Sequence, residues 1–172
     1  MVALMKDLKM IDGNLGHPLA AGRRQHFRGN FASTDEVVGA KEFYLHSRMP
    51  ESSIKDIEQL TDKGKAELRK YKRFASYWLG LIAFNEGEYE MATNYFDKRI
   101  LRVKDQGDAW MQGATYNLAR TCEQLAAVAS EEDAAGFSAR ARELYLSDTE
   151  SPQIAGNKLR ASRLVDAQAS SE

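Results

Sequence analysis

The most regular pattern of hydrophobic and polar positions lies in residues 74–101. In its first half, four small or apolar residues follow the spacing i, i+3, i+4 and i+7, which defines one face of an α-helix. They are Ser76, Leu79, Gly80 and Ala83. Gly87 interrupts the pattern, and Tyr89, Ala92 and Phe96 then share the face of a second helix. The stretch therefore predicts two short helices folded back on each other, with small residues where their axes cross.

An alanine followed four positions later by an aromatic residue occurs three times in comparable settings. The pairs are Ala40/Tyr44, Ala92/Phe96 and Ala141/Tyr145, at intervals of 52 and 49 residues. Repetition at a nearly constant interval is typical of arrays built from one supersecondary unit. We therefore expect three helical hairpins, with one alanine–aromatic pair in each.

The central stretch resembles a tetratricopeptide repeat (TPR). The positions that match the spacing of that family are Leu79-Gly80, Ala83, Gly87, Tyr89, Ala92 and Phe96. Ala83 departs from the pattern, because the family usually has an aromatic residue there. The resemblance implies an all-α fold, a right-handed superhelical array of about three TPR-like helix-turn-helix hairpins with flanking helices.

The repeats divide the chain into a TPR-like domain at residues 15–166, with a helix before it and a tail after it. The copies are expected at about residues 16–49, 66–102 and 109–147, and a terminal helix at 152–166 covers the last repeat. The intervals exceed the ~34 residues of a plain TPR, so we place insertions at residues 32–39 and 127–138 and an additional short helix at 52–60.

An apolar stripe in residues 1–14 predicts a leading amphipathic helix. It resembles half of a truncated repeat, so we expect a longer parent protein. Residues 167–172 are polar and are expected to be disordered.

Turn and capping signals predict where individual helices begin and end. The first helix of the domain is expected to end near Arg28, and the second to occupy about residues 35–48. Thr61 or Asp62 is expected to cap a long helix that ends near Asn85.

The composition is that of an ordinary soluble globular chain of 172 residues, 43% hydrophobic and 28% charged, with a formal net charge of −1. A nearly neutral chain gives no indication of binding to nucleic acid or to an anionic membrane. No apolar run approaches the ~18 residues of a membrane span, and the first ten residues lack the apolar core of a signal peptide. We therefore expect a cytoplasmic protein without membrane insertion.

Candidate catalytic and metal-binding residues are few. His17, His26 and His46 lie in three separate segments, and none is at helical spacing from another His or from a Cys, which favours surface or groove histidines over a metal site. Cys122, the single cysteine, shares a helix face with Leu118 and is expected to be a small core residue, not a reactive thiol. No nucleotide-binding, hydrolase or metalloprotease motif occurs in the sequence. We therefore expect no catalytic activity, no cofactor and no metal.

Two charged clusters have more than one interpretation. Glu86, Glu88 and Glu90 flank the central turn, where negative charge favours the start of the next helix; paired carboxylates for acid–base chemistry are the alternative. Residues 63–73 hold six basic side chains and residues 98–104 four more. These are interpreted as a solvated face. A surface for an acidic partner protein is the main alternative, and a surface for nucleic acid is a lesser one.

In TPR proteins the first helix of each repeat lines a concave groove, and the resemblance carries that role over to eleven positions of this chain. They are Arg23, His26, Phe27, Phe74, Tyr77, Leu81, Asn85, Tyr116, Asn117, Arg120 and Glu123. Aromatic rings beside arginines suit an extended peptide, because rings bury area and Arg binds carboxylates. Asn117 occupies a position of the family's carboxylate clamp, but the accompanying lysines are missing, so this mode of binding is not expected.

The resemblance implies a non-catalytic protein–protein interaction module, a scaffold or adaptor that binds a peptide or partner protein through the concave groove. One alternative is a structural module that forms a homo-oligomer or packs within a larger parent protein. Another is that the additional and terminal helices fill the groove themselves, since Phe74, Leu81 and Phe84 are more apolar than a solvated groove requires. An enzyme with its site in the groove or in residues 127–138 has no supporting motif.

Overall fold

In the computed structural model of the chain, residues 16–48, 61–103, 110–147, 149 and 153–169 are described. Every regular element among these residues is a helix, which confirms the all-α prediction. The α-helices are α1 (Gly16–Phe27), α2 (Ala40–His46), α3 (Asp62–Asn85), α4 (Tyr89–Thr93), α5 (Trp110–Val128), α6 (Glu131–Ser147) and α7 (Ile154–Ala169). A π-helix over Asn94–Leu101 continues α4. The predicted helices at residues 1–14 and 52–60 lie outside the described residues.

The chain forms two compact units, Met1–Ile82 and Ala83–Glu172, which are called unit 1 and unit 2 below. Each unit has buried apolar side chains of its own. Among the most deeply buried are Tyr44, Leu68, Leu79 and Ile82 in unit 1, and Phe96, Ile100, Leu118 and Tyr145 in unit 2.

In unit 1, α1 and α2 pack against each other through a close approach at a glycine. A Cβ atom on Gly22 would lie 2.7 Å from Cε1 of Tyr44 and 3.1 Å from Cβ of Phe43. Only a hydrogen atom fits between the two helices at this point. After α1, Gly29 adopts the left-handed conformation (φ 78°) that turns the chain away from the helix, in agreement with the predicted end near Arg28.

The segment between α1 and α2 is a hydrogen-bonded loop. The amide of Ala40 donates a hydrogen bond to the carbonyl of Asn30 at 2.8 Å. The amide of Gly39 donates to Oγ of Ser33 at 3.0 Å. These bonds take the place of the i to i−4 pairing that a helix would require, so α2 begins only at Ala40. The predicted helix start near Asp35 is therefore wrong.

The ends of α3 follow the capping signals in the sequence. The amide of Gly64 donates to Oγ1 of Thr61 at 3.2 Å, which confirms Thr61 as the N-cap. The helix ends at Asn85 as predicted. Gly87 then adopts a φ of 79°, which explains the interruption seen in the hydrophobic pattern.

In unit 2, α5 packs against α4, against the π-helix and against α6, and α6 also packs against α7. Residues 127–138, expected as an insertion, lengthen α5 and α6, which are separated only by Ala129 and Ser130. The amide of Asp133 donates to Oγ of Ser130 at 3.3 Å, so Ser130 caps α6. α7 continues to Ala169, into residues that were expected to be disordered.

The three alanine–aromatic pairs are all buried in the cores of their units. Ala40/Tyr44 in α2, Ala92/Phe96 in α4 and the π-helix, and Ala141/Tyr145 in α6 are all 0% exposed. Side chains four positions apart lie on the same face of a helix, so each alanine and its aromatic partner face the same neighbour. The sequence repeat thus marks side chains that are buried in the cores. The right-handed superhelical order of the hairpins stays a prediction.

Candidate functional site

Unit 1 contains a cluster of aromatic rings around Trp78, a residue that the sequence patterns did not single out. The Trp78 ring centroid lies 4.6 Å from His26 and 5.9 Å from both Phe74 and Tyr77. It lies 6.0 Å from Phe27 at an angle of 73°. These separations and tilted orientations are favourable for aromatic pairs, so α1 and α3 contact each other through rings. The cluster brings together four of the predicted groove residues.

Arg23 joins this cluster from α1. Its guanidinium carbon lies 5.6 Å from the ring centroid of Phe74 and 6.0 Å from that of Phe27, within the range of a cation–π interaction. Phe27 is 72% exposed, although it contacts Trp78. Leu81 lies half-buried one turn beyond Tyr77 on α3. Arg23 and Phe27 thus form an exposed edge on a base of aromatic rings, in which Phe74 is buried and Trp78 is half-buried.

Tyr44 of α2 also belongs to the cluster, because its ring stacks on Trp78 with centroids 6.2 Å apart. Three polar atoms of the cluster are buried without a hydrogen-bond partner: Nδ1 of His26, Oη of Tyr44 and Nε1 of Trp78. Burial lowers the pKa of the His26 imidazole, so its neutral form is favoured. The positive charge of this surface therefore comes from arginine and not from His26.

Unit 2 contains a second group of predicted groove residues, on α5. The guanidinium carbon of Arg120 lies 4.5 Å from the ring centroid of Phe84 and 5.9 Å from that of Tyr116. Arg120 also donates a hydrogen bond to Oδ1 of Asn117 at 3.2 Å. Nδ2 of the buried Asn117 donates to the carbonyl of Gly113 at 2.8 Å. Asn117 is therefore engaged within its own helix, while Asn85 lies exposed at the end of α3.

Glu123, the last predicted groove residue, accepts two hydrogen bonds within unit 2. The hydroxyl of Tyr145 donates to Oε2 of Glu123 at 2.6 Å, and Arg160 of α7 donates to the same oxygen at 3.2 Å. Burial and the bond to Glu123 raise the pKa of the Tyr145 hydroxyl. The guanidinium carbon of Arg160 also lies 5.9 Å from the ring centroid of Tyr116. Arg160 of the terminal helix therefore contacts two of the predicted groove residues, Tyr116 and Glu123.

An open pocket of about 670 Å³ lies beside α4 and the end of α5. Its apolar lining comes from Tyr89, Met91, Leu125 and Val128, and carboxylates of Glu88 and Glu90 also line it. Val128 is 71% exposed, and both glutamates are exposed. The Tyr89 hydroxyl donates to Oε1 of Gln124 at 3.3 Å, which holds the ring at the pocket wall. The volume is in the range of about 300–1,000 Å³ that is usual for ligand pockets.

Cys122 lies on α5 and is buried, as predicted for a core residue. Burial raises the pKa of its thiol to about 11.

We expect iodoacetamide to alkylate Cys122 at pH 8 about 100-fold more slowly in the folded chain than in the chain unfolded in urea. The reason is that the thiolate is the reactive form, and raising the pKa by two units lowers the fraction of thiolate at this pH by about that factor. Mass spectrometry of timed samples measures both rates, and equal rates would contradict a buried thiol.

The remaining chemical candidates do not converge in the described part of the chain. No group of three or more His, Cys, Asp and Glu side chains that could hold a metal ion occurs there. Glu88 is the N-cap residue of α4, but its side chain makes no capping hydrogen bond. The basic residues Lys63, Arg69 and Lys70 are exposed on α3. Among the described helices, none is long and apolar enough to cross a membrane.

The chain matches no protein-family model, no curated protein and no solved structure. The site is therefore interpreted from its own geometry.

Trp78 could have been found in the sequence, because it lies four residues after Phe74 and directly after Tyr77. The contact of Arg160 with Glu123 could not have been found in the sequence. The two residues are 37 positions apart, and they meet only because α7 packs against α6, which in turn packs against α5.

Proposed function

We propose that this chain is a non-catalytic protein-interaction module, and that it binds a partner protein or peptide through the edge formed by Arg23 and Phe27 in unit 1. The observation that carries the proposal is the exposed Phe27 ring, held against the half-buried ring of Trp78 and flanked by Arg23. Rings and guanidinium groups that are already held in place lose little conformational entropy when they bind. Aromatic and arginine side chains are also the residue types that dominate binding energy at interfaces.

The resemblance to TPR proteins supports the same proposal. In a right-handed superhelical array, the first helix of each hairpin faces the concave groove, and α1 and α3 are the helices that would do so here. Phe74 and Tyr77 would then extend the edge along the groove as a platform for an extended peptide. In unit 2, Arg160 already contacts Tyr116 and Glu123, so we place the binding residues in unit 1.

Affinity capture tests this function. Wild type, the double variant Arg23→Ala/Phe27→Ala and the control Leu159→Ala are immobilised, and proteins captured from a native lysate are identified by mass spectrometry. Leu159 is a suitable control because it is also exposed (54%) but lies on α7. We expect the double variant to lose the specific partner that wild type and control retain, with about 30-fold weaker binding for a loss of about 2 kcal/mol.

The variants are compared by circular dichroism so that a loss of binding is not confused with unfolding. Equal capture by all three folded proteins would contradict the proposed edge. An additional variant, Arg120→Ala, tests unit 2 in the same way. A partner that is lost by Arg120→Ala but retained by Arg23→Ala/Phe27→Ala would move the site to unit 2.

A further inference from the structure

The two units carry opposite net charge. Residues Met1–Ile82 contain 14 Lys and Arg against 10 Asp and Glu, and residues Ala83–Glu172 contain 10 against 15. The formal charges are therefore +4 and −5, although the whole chain is nearly neutral. Such an asymmetry favours encounters in which unit 1 of one molecule meets unit 2 of another, and disfavours encounters between like units.

Unit 1 presents an apolar side chain surrounded by positive charge. Phe27 ends α1, and Arg23 and Arg24 precede it by four and three positions, which places them on the same helical face. Arg28 follows directly. Phe27 and the three arginines are all exposed. We call Phe27 with these arginines the basic knob.

Unit 2 presents the complementary arrangement in the pocket beside α4. Met91, Leu125 and Val128 line it with apolar surface, and Glu88 and Glu90 add negative charge. Phe27, at 72%, and Val128, at 71%, are the most exposed of the large apolar side chains on the described residues. An exposed ring with arginines thus has its counterpart in an exposed apolar pocket with carboxylates. Contact between the two would remove apolar surface of both from water, which is favourable.

We propose that the pocket of unit 2 accepts the basic knob of a second copy of this chain. Phe27 of one copy would contact Met91 and Val128 of the next, and its arginines would pair with Glu88 and Glu90. This inference rests on the proposed function, since it uses the same edge of unit 1 and names its partner. The contact is heterologous, because the two surfaces differ, so repeated contacts form a closed ring or an open chain of copies.

The test uses two variants that each remove one side of the contact. Phe27→Asp replaces the ring by a carboxylate that would face Glu88 and Glu90. Val128→Asp places a charge in the apolar pocket and leaves the knob intact. Both residues are exposed ends of helices, so both variants should fold. Leu159→Asp is the matched control, an equally polar change at an exposed position outside both surfaces.

Sedimentation velocity at increasing protein concentration measures the association. We expect wild type and Leu159→Asp to increase in mass with concentration at low salt, and Phe27→Asp and Val128→Asp to remain monomeric. An equimolar mixture of the two monomeric variants should form dimers and nothing larger, because it contains one intact knob and one intact pocket per pair. Wild-type association should weaken between about 0.1 M and 1 M salt, where the Debye length falls from about 10 Å to about 3 Å.

The outcomes separate this inference from the function on which it rests. A wild type that stays monomeric at all concentrations, or a mixture of variants that stays monomeric, overturns the head-to-tail contact. If Phe27→Asp also loses a different captured protein in that case, the interaction edge of unit 1 stands and its partner is not a second copy. If Phe27→Asp associates and captures proteins like wild type, both the contact and the edge are wrong.

Discussion

Phe96→Ala is expected to lower the free energy of unfolding by about 3–5 kcal/mol. Phe96 is 0% exposed and lies in the π-helix that continues α4, four positions after the equally buried Ala92. Removing the ring loses the favourable free energy that is gained when the ring is buried away from water. It also leaves a cavity that helices on several sides cannot close without moving.

Phe27→Ala is the matched control, because it removes the same atoms from a ring that is 72% exposed. We expect it to change the free energy of unfolding by well under half of the loss at Phe96. Urea denaturation followed by circular dichroism gives both values. A loss at Phe96 as small as the one expected at Phe27 would mean that Phe96 is not the core residue that its burial indicates.

Gly39→Ala is expected to destabilise the chain by about 1–3 kcal/mol, although it adds only one methyl group. A Cβ at this position would clash with the carbonyl carbon and oxygen of Ala32 and would lie 2.6 Å from the carbonyl oxygen of Phe31. These neighbours are backbone atoms, which cannot rotate out of the way as the end of a side chain can. The φ of Gly39 is −75°, so the clash and not the backbone conformation is the cause.

Gly136→Ala is the control for this substitution. Gly136 lies inside α6 and is exposed, and a Cβ atom added to it would meet nothing within 4 Å. Alanine is the better helix former, so we expect this variant to gain about 0.5–1 kcal/mol. The same denaturation experiment measures both, and a Gly39→Ala variant as stable as wild type would show that the loop before α2 can open around a methyl group.

Local signals in the sequence predicted several helix ends. Thr61 caps α3 and Gly87 turns the chain after it, because capping and positive φ depend on a few adjacent residues. The start of α2 near Asp35 was predicted wrongly for the opposite reason. There the amide of Ala40 bonds to the carbonyl of Asn30, ten residues away, and helical spacing carries no information about such a bond.

The candidate site was predictable in part. Arg23, Phe27 and Phe74 were selected through the resemblance to TPR proteins, and the structure brings them together. Trp78, which contacts all the other rings of the cluster, was not selected, because it is not among the positions that the resemblance carries over, although it lies one helical turn after Phe74. The two hydrogen bonds of Glu123 were equally hidden, since Tyr145 and Arg160 lie on two later helices.

The sequence by itself determined the helical class, the turns at Gly29 and Gly87 and the three buried alanine–aromatic pairs. Each of these depends on residues within one or two helical turns, where spacing and side-chain size act directly on the backbone. Only the tertiary structure decided which side chains meet. The ring contact of His26 with Trp78, the bond of Arg160 to Glu123 and the pocket beside Val128 all join separate helices. Such contacts are set by how whole helices pack, and the order of residues along one helix does not specify them.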